Sequence, residues 1–137
     1  MSAEDAAVLN KLSADAICAR LHLSAYGDGS FRHQGSPELI LLPVGEILPW
    51  QYRAAPISLH HIAGAPVALT LSPNGRDAQA RHLQDGQTAE IAAACWHTGE
   101  TLGHWSLIGL DNETGAPAEL AAPDWFPTPM AKAEGEA

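Results

Sequence analysis

The stretch ELILLPVGEILPWQYRAAPISLHHIAGAPVALTLSPNGRDAQARHL, residues 38–83, decides the fold. Short apolar segments alternate here with Gly, Pro, Asn and Asp, which is the pattern of β-strands joined by tight turns. Asn74-Gly75 is the clearest hairpin turn, because both residue types tolerate a positive φ. The same alternation of short apolar segments and turn residues continues beyond residue 83. The predicted strands are Glu38–Leu42, Leu48–Arg53, Ser58–Ala63, Val67–Ser72, Ala78–Leu83, Ala89–Ala93 and Trp105–Leu110. Many short strands at regular spacing indicate an all-β sandwich or barrel.

A helical region precedes the strands. Ser13 is a good N-cap, and Ile17 and Leu21 lie one turn apart on the face of a helix that would follow it. Residues 4–12 form a second, shorter helix candidate. We therefore expect an N-terminal extension over 1–12, one domain over 13–125 and a flexible C-terminal tail over 126–137, which is rich in Pro, Ala and Glu.

The composition excludes several classes of partner. The 137 residues carry 7 Lys and Arg against 16 Asp and Glu, a net charge of −9. Nucleic acids and anionic membranes are bound by clustered Lys and Arg, so we expect neither as a partner. An apolar share of 46% with 17% charged residues is typical of a globular domain.

The N-terminus and the cysteines predict a cytoplasmic protein. The first residues, MSAEDAAVLNKLSADAI, are acidic and lack the apolar core of a signal peptide, and no apolar run approaches the roughly 18 residues of a membrane span. Cys18 and Cys95 are far apart and belong to no CxxC motif. A disulfide is possible, but two buried free thiols are the favoured interpretation.

Two spacings of glycine and polar residues stand out: Gly45-x5-Gln51-x-Arg53-x3-Ile57-x6-Gly64 and Gly86-x5-Ala92-x-Ala94-x2-His97-x3-Thr101. They resemble the two motifs of cupins, G-x5-H-x-H-x3-E-x6-G and G-x5-P-x-G-x2-H-x3-N. The framework glycines are retained, whereas most of the metal-ligand positions carry other residues.

Four further segments narrow the resemblance: LSAYGDGSFR (23–32), LHHIAGAPV (59–67), CWH (95–97) and HWSLIG (104–109). In this order they are similar to LxPHPEGGYFR, WH…E-x-WHFYAGDPL, GVWQ and WALVG, the segments of a small cupin family long carried as a domain of unknown function. The resemblance covers roughly residues 13–125. It implies a double-stranded β-helix, or jelly roll, with a short N-terminal helix, and a homodimer.

Strand parity selects the residues that face the barrel, because alternate residues of a strand share a face. The inward set predicted in this way is Gln51, Arg53, Ile57, Leu59 and His61, joined by His97 of the second motif. His60 matches a histidine of the family but has outward parity unless a bulge intervenes. Phe31 and His33 share a strand face and are candidates for one wall of the pocket.

The donor set argues against a metal. A cupin metal site needs about three imidazoles and a carboxylate, and Gln51, Arg53 and Ile57 stand at three of those positions. Arg53 cannot lose its proton to become a ligand, and at 4 Å it would repel a unit positive charge by about 4 kcal/mol in an effective dielectric of about 20. His97 is the credible ligand, joined at best by His61. We predict no bound catalytic metal and no other cofactor.

Arg53 carries the functional prediction. A buried Arg must be paired, either by an acid of the protein such as Glu46 or Glu90 or by the carboxylate or phosphate of a ligand. With Gln51 as a hydrogen-bonding neighbour and His97 as an acid or base near neutral pH, the sequence predicts a metal-independent binder of a small polar or anionic molecule of unknown identity. Two alternatives stay open: a metal-independent sugar epimerase or isomerase with His97 as base, acting with an acidic partner and a tyrosine, and a structural or interaction dimer without a ligand.

Overall fold

The computed structural model describes residues 3–35, 37–48, 50–74, 76–111, 118–120 and 128–129. Two short helices precede the strands, as the sequence predicts. The elements are α1 Ala3–Leu9, α2 Ala14–Leu21, β1 Ser24–Ala25, β2 Phe31–His33, β3 Glu38–Pro43, β4 Gln51–Arg53, β5 Ile57–Gly64, β6 Val67–Ser72, β7 Asp77–Leu83, β8 Thr88–Ile91, β9 Trp96–Thr101, β10 Trp105–Asp111, β11 Ala118–Leu120 and β12 Thr128–Pro129.

The strands form two six-stranded sheets, ordered β1-β2-β3-β10-β5-β8 and β11-β4-β9-β6-β7-β12. The pairings are antiparallel except that of β12 with β7. The inner faces of the two sheets enclose an apolar cluster that includes Ile40, Leu59, Leu69 and Ile108. This arrangement is the all-β jelly roll of the cupin fold, so the predicted fold class is confirmed.

The helices cover the outer face of the first sheet. Ser13 caps α2 by accepting a hydrogen bond from the backbone N–H of Ala16 at 3.2 Å. Ile17 of α2 is completely buried, and Leu9 of α1 packs into the same outer cluster with Leu107. The predicted extension over 1–12 thus contributes a core residue, while the domain boundaries themselves stay a prediction.

Each of the seven predicted strands matches an observed strand within a few residues, whereas β1, β2, β9, β11 and β12 were not among the predicted strands. The omission of β9 is informative, because this strand carries His97. It lies between β4 and β6, and three consecutive residues, His97, Thr98 and Gly99, are buried, so it shows no alternation of apolar and polar residues. The predicted hairpin turn joins β6 to β7: the side chain of Asn74 accepts from the N–H groups of Arg76 and Asp77, both at 2.9 Å. Gly75 lies outside the described residues.

Two features at the end of β5 fix which side chains face the barrel. Gly64 has φ +87°, and a Cβ placed on it would lie 2.5 Å from the ring of Trp105, so only glycine fits this turn. The pairing with β10 shifts at Ile62, which acts as a bulge. His61 therefore pairs with an inward residue of β10, whereas Ala63 packs on the outside with the helices.

Part of the predicted C-terminal tail is paired: residues 128–129 lie beside β7. The rest of 126–137 lies outside the described residues. Among the described helices, none is long and apolar enough to cross a membrane. Cys18 and Cys95 are both free thiols, and burial raises the pKa of each.

Candidate functional site

The predicted site residues of β4 and β9 come together on the inner face of the second sheet. Gln51 pairs directly with His97 across the two strands, and Arg53 follows on the same side of β4. All three are buried, with 5–8% of their surface exposed. Arg32 of the first sheet also faces inward, since it pairs with Ile40 of the barrel core. Strand parity therefore gave the inward direction of Gln51 and Arg53 correctly, and the second motif identified His97, which lies opposite Gln51.

A small cavity lies between the sheets at this position. Its volume is about 20 Å³, which is enough for roughly one water molecule. Its lining residues are Arg32, Ile40, Leu42, Leu48, Gln51, Leu59, Leu69, His97, Thr98, Gly99, Ile108 and Leu110. We call it the lumen cavity. It is mostly apolar; its polar lining residues are Arg32, Gln51, His97 and Thr98, and Arg53 does not line it.

His97 is held in one tautomer. Its Nδ1 lies 3.1 Å from the backbone carbonyl oxygen of Cys95, and because a carbonyl only accepts, Nδ1 carries the proton. Burial lowers the pKa of His97, the hydrogen bond to Cys95 opposes that shift, and the positive charge of Arg53 lowers the pKa further. The ring is therefore neutral at pH 7, with Nε2 as a hydrogen-bond acceptor on a residue that lines the lumen cavity.

Arg53 is buried without an ion pair among the described residues. Its Nε and Nη1 are both shielded from solvent and have no hydrogen-bond acceptor there. Burial lowers the pKa of Arg53, the charge of Glu38 opposes this from beyond ion-pair distance, and the charge of Arg32 adds to the lowering. The guanidinium thus presents two unused donors within the barrel.

The acids that the sequence offered as partners for Arg53 are placed elsewhere. Glu90 accepts a hydrogen bond from the hydroxyl of Ser58 at 2.7 Å on the outer face. Glu46 lies against Gly29, where an added Cβ would be 2.6 Å from its Oε2. Neither pairs with Arg53 in the part of the chain that the structure describes.

Arg32 is a site residue that sequence reasoning missed, and it is fully paired. Its guanidinium forms ion pairs with Asp28 at 2.8 Å and Glu38 at 3.4 Å, and its Nε donates to the hydroxyl of Ser30 at 3.0 Å. The ring of Tyr26 stacks on it, with the centroid 4.1 Å from Cζ. The signal was available, since the segment that resembles LxPHPEGGYFR ends at Arg32.

The expectation that Phe31 and His33 line the pocket is wrong. They share a face, as predicted, but it is the outer one: Phe31 packs in the outer cluster beside Leu41, and His33 is exposed. The intervening Arg32 takes the inward position, because it pairs with Ile40 of the barrel core.

The remaining predicted residues lie away from the polar groups. His60 points outward, is exposed, and bonds through Nδ1 to the hydroxyl of Thr88 at 2.8 Å, as its parity indicated. His61 is buried and its Nε2 donates to the carbonyl of Ala65 at 3.0 Å, while its Nδ1 has no partner among the described residues. His61 lines the outer cleft described below and not the lumen cavity. Ile57 belongs to the barrel core, and Leu59 lines the cavity. Whether any of these residues contacts a ligand stays a prediction.

The donor set does not fit a metal ion. Within the described ranges, no group of three or more His, Cys, Asp or Glu is arranged to hold one. At the cupin ligand positions, Arg53 brings a positive charge and Ile57 brings no lone pair. His97 uses Nδ1 for Cys95, which leaves a single nitrogen and no carboxylate beside it among the described side chains.

The constellation expected of an epimerase is likewise incomplete in the described part of the chain. His97 is oriented by a carbonyl instead of a carboxylate. Tyr26 stacks on Arg32 and is 54% exposed, and Tyr52 packs edge-on against Trp96 with ring centroids 4.5 Å apart. Neither tyrosine lines the lumen cavity.

A larger cleft of about 920 Å³ lies outside the barrel, between α1 and the outer face of the first sheet. Its polar lining residues are Asn10, Ser58, His60, His61, Asp85, Thr88 and Asp111. Several of them already form hydrogen bonds: His60 bonds to Thr88, Ser58 to Glu90, and Asn10 accepts from a backbone N–H at 2.6 Å. We place the candidate site inside the barrel instead, because Arg53 has buried donors with no acceptor among the described residues and follows Gln51 on β4, whereas Gln51 and His97 line the lumen cavity and Arg53 does not.

No family model and no curated protein matches the sequence. Solved structures do match. A protein of Shewanella oneidensis superposes with a TM-score of 0.69 at 17% identity, over 81% of this chain and 85% of that one. A mutant of Bacillus subtilis oxalate decarboxylase superposes with a TM-score of 0.58 at 11% identity. The match covers 70% of this chain but only 29% of that enzyme's chain. Drosophila melanogaster CENP-C bound to CAL1 superposes with a TM-score of 0.55 at 11% identity, over 65% of this chain and 75% of that one. These likenesses show a cupin fold, and the neighbours' functions differ.

Proposed function

We propose that this cupin-fold protein binds a small anionic molecule inside the barrel without a metal ion. One observation carries the proposal: the Nε and Nη1 atoms of Arg53 are buried with no acceptor among the described residues. A buried donor left unpaired costs about 1–3 kcal/mol, and more when the group is charged. A ligand carboxylate or phosphate on these atoms would remove that cost.

The surroundings favour an anion at Arg53. Arg32 also lies in the barrel wall, but it is ion-paired with Asp28 and Glu38. Arg53 forms no ion pair among the described residues, although the charge of Glu38 acts on it from beyond ion-pair distance, and Gln51 on the same strand offers an amide that can donate to or accept from the ligand. The lumen cavity of about 20 Å³ limits how much of the ligand enters without movement of the wall, which favours a molecule of few atoms.

Isothermal titration with acetate, phosphate and a neutral sugar tests this proposal. We expect at least one of the two anions to bind the wild type, and Arg53→Met to weaken that binding by about 10- to 100-fold, since a hydrogen bond to a charged group is worth about 1.5–3 kcal/mol. Arg81→Met is the matched control, because Arg81 is exposed on β7. Equal affinities for wild type and Arg53→Met, or no binding of either anion, would overturn the proposal.

An interaction dimer is the second candidate, and the small lumen cavity favours it. A barrel with space for about one water is close to a packed core, and the 920 Å³ cleft leaves part of the outer sheet uncovered. CENP-C in its complex with CAL1 has a similar fold. Light scattering measures the oligomeric state of the wild type and of Gly109→Trp, which places a large side chain in the floor of the cleft. If the wild type is a dimer, Gly109→Trp is a monomer and neither anion binds, the result favours this candidate over the first.

A further inference from the structure

The tautomer of His97 restricts the chemistry of the ligand. Nδ1 donates to the carbonyl of Cys95 at 3.1 Å, so Nε2 carries only a lone pair. Nε2 has no partner among the described residues, and His97 lines the lumen cavity. A ligand that fills the cavity must therefore bring a hydrogen-bond donor to His97, whereas Arg53 can only bind an acceptor.

The two groups lie on one short segment of the barrel wall. Gln51 stands directly opposite His97 in the β4–β9 pair. Arg53 is two residues beyond Gln51 on the same face of β4, so their Cα atoms are about 7 Å apart at the rise of a strand. The positive charge of Arg53 also lowers the pKa of His97, which agrees with this placement. A single small molecule can therefore span an acceptor end at Arg53 and a donor end at His97.

We propose that the ligand is a small hydroxy acid, whose carboxylate is bound by Arg53 and whose hydroxyl donates a hydrogen bond to Nε2 of His97. This inference rests on the proposed anion site. The lumen cavity has the space that the hydroxyl end needs beside His97, because about 20 Å³ holds one oxygen atom the size of water. Arg53 does not line this cavity and its Nε and Nη1 are buried, so the carboxylate end reaches them when the wall beside Gln51 moves. Gln51, opposite His97, offers an amide that can bond the hydroxyl oxygen or the second carboxylate oxygen.

Three probes that differ in one group test the inference by calorimetry: glycolate, acetate and methoxyacetate. Acetate lacks the hydroxyl, and the ether oxygen of methoxyacetate can only accept. We expect wild type to bind glycolate about tenfold more tightly than acetate, as one hydrogen bond warrants, and methoxyacetate no more tightly than acetate. In His97→Leu the preference for glycolate disappears while acetate binding remains.

A second measurement guards against a misfolded His97→Leu variant. The ¹⁵N resonance of His97 Nε2 in the wild type is expected to shift on adding glycolate and to stay nearly unchanged with acetate. Equal affinities for glycolate and acetate, both lost in Arg53→Met, would overturn the hydroxy-acid inference and leave the anion site intact. Absence of binding by all three probes would overturn this inference and, for carboxylates, the proposed function with it.

Discussion

The two inward-facing arginines make opposite predictions for stability. Replacing Arg53 with Met keeps an unbranched apolar stem and removes the two buried donors that have no acceptor among the described residues. Each unpaired donor atom costs about 1–3 kcal/mol, so Nε and Nη1 together destabilise the ligand-free wild type by about 2–6 kcal/mol. Nη2 is not among the buried unpaired atoms, so only part of the guanidinium is uncompensated and we take the lower end. Arg53→Met should therefore raise the free energy of unfolding by about 2 kcal/mol.

Arg32→Met is the control, because Arg32 has the partners that Arg53 lacks. The substitution leaves Asp28 and Glu38 without their cation, although their side chains are 16% and 13% exposed. Breaking a buried pair costs about 3–5 kcal/mol, and this residual exposure reduces the loss to about 2–4 kcal/mol. The paired arginine is thus expected to stabilise the fold where the unpaired one destabilises it.

Urea unfolding in a buffer free of carboxylate and phosphate measures both changes by linear extrapolation. We expect the midpoint of Arg53→Met to rise and that of Arg32→Met to fall, with Tm values moving in the same directions by about 4 °C per kcal/mol for a chain of this size. If Arg53→Met instead loses as much stability as Arg32→Met, then Arg53 has a partner within the protein and the reasoning is refuted.

Three further predictions follow from the charges and the turns. The NMR titration of His97 should show its pKa rising in Arg53→Met, because a nearby positive charge is gone; an unchanged value would mean that the two side chains do not interact. Burial raises the pKa of Asp28, but hydrogen bonds from Ser30 and the charge and hydrogen bond of the Arg32 guanidinium lower it, and the net pKa lies below its usual range. The ionised Asp28 carboxylate therefore stabilises the folded protein above about pH 4, and this contribution is lost as the pH falls through the lower, folded-state pKa. Asp28→Asn should therefore lower stability at pH 7 and make little difference near pH 2, a pattern that a uniform loss would contradict. Gly64→Ala should cost about 2–5 kcal/mol in urea unfolding, from its positive φ and the indole against it. In contrast, the Cβ of Gly109→Ala would make ordinary van der Waals contacts, the nearest at 3.5 Å from Ile62, so this substitution should change stability by less than about 1 kcal/mol.

The fold was predictable because its signals are local. Glycines at turns with positive φ, such as Gly45, Gly64 and Gly86, and strands such as Val67–Ser72 are encoded in a few neighbouring residues. β9 was not predicted because three consecutive residues in it are buried, which removes the alternation of apolar and polar residues, and because it carries Thr and Gly. It forms a strand because it pairs with β4 on one side and β6 on the other.

The site was predictable only where parity was anchored by a motif. Gln51 and Arg53 followed from the first cupin spacing, and their inward direction is as expected. On β2, parity correctly grouped Phe31 with His33 but could not say which face the helices cover, and Arg32 was the inward residue. The lack of an acid beside Arg53 among the described residues is a property of the whole barrel, which no local pattern of the sequence encodes.

The most direct test of the account is a crystal structure of protein purified without carboxylates or phosphate and then soaked in glycolate. The account predicts new density within about 3 Å of Nε or Nη1 of Arg53, with an oxygen in hydrogen-bond distance of His97 Nε2. A carboxylate of the chain itself on Arg53 before and after soaking, or a guanidinium with no oxyanion beside it after soaking, would contradict the claim that Arg53 binds a ligand.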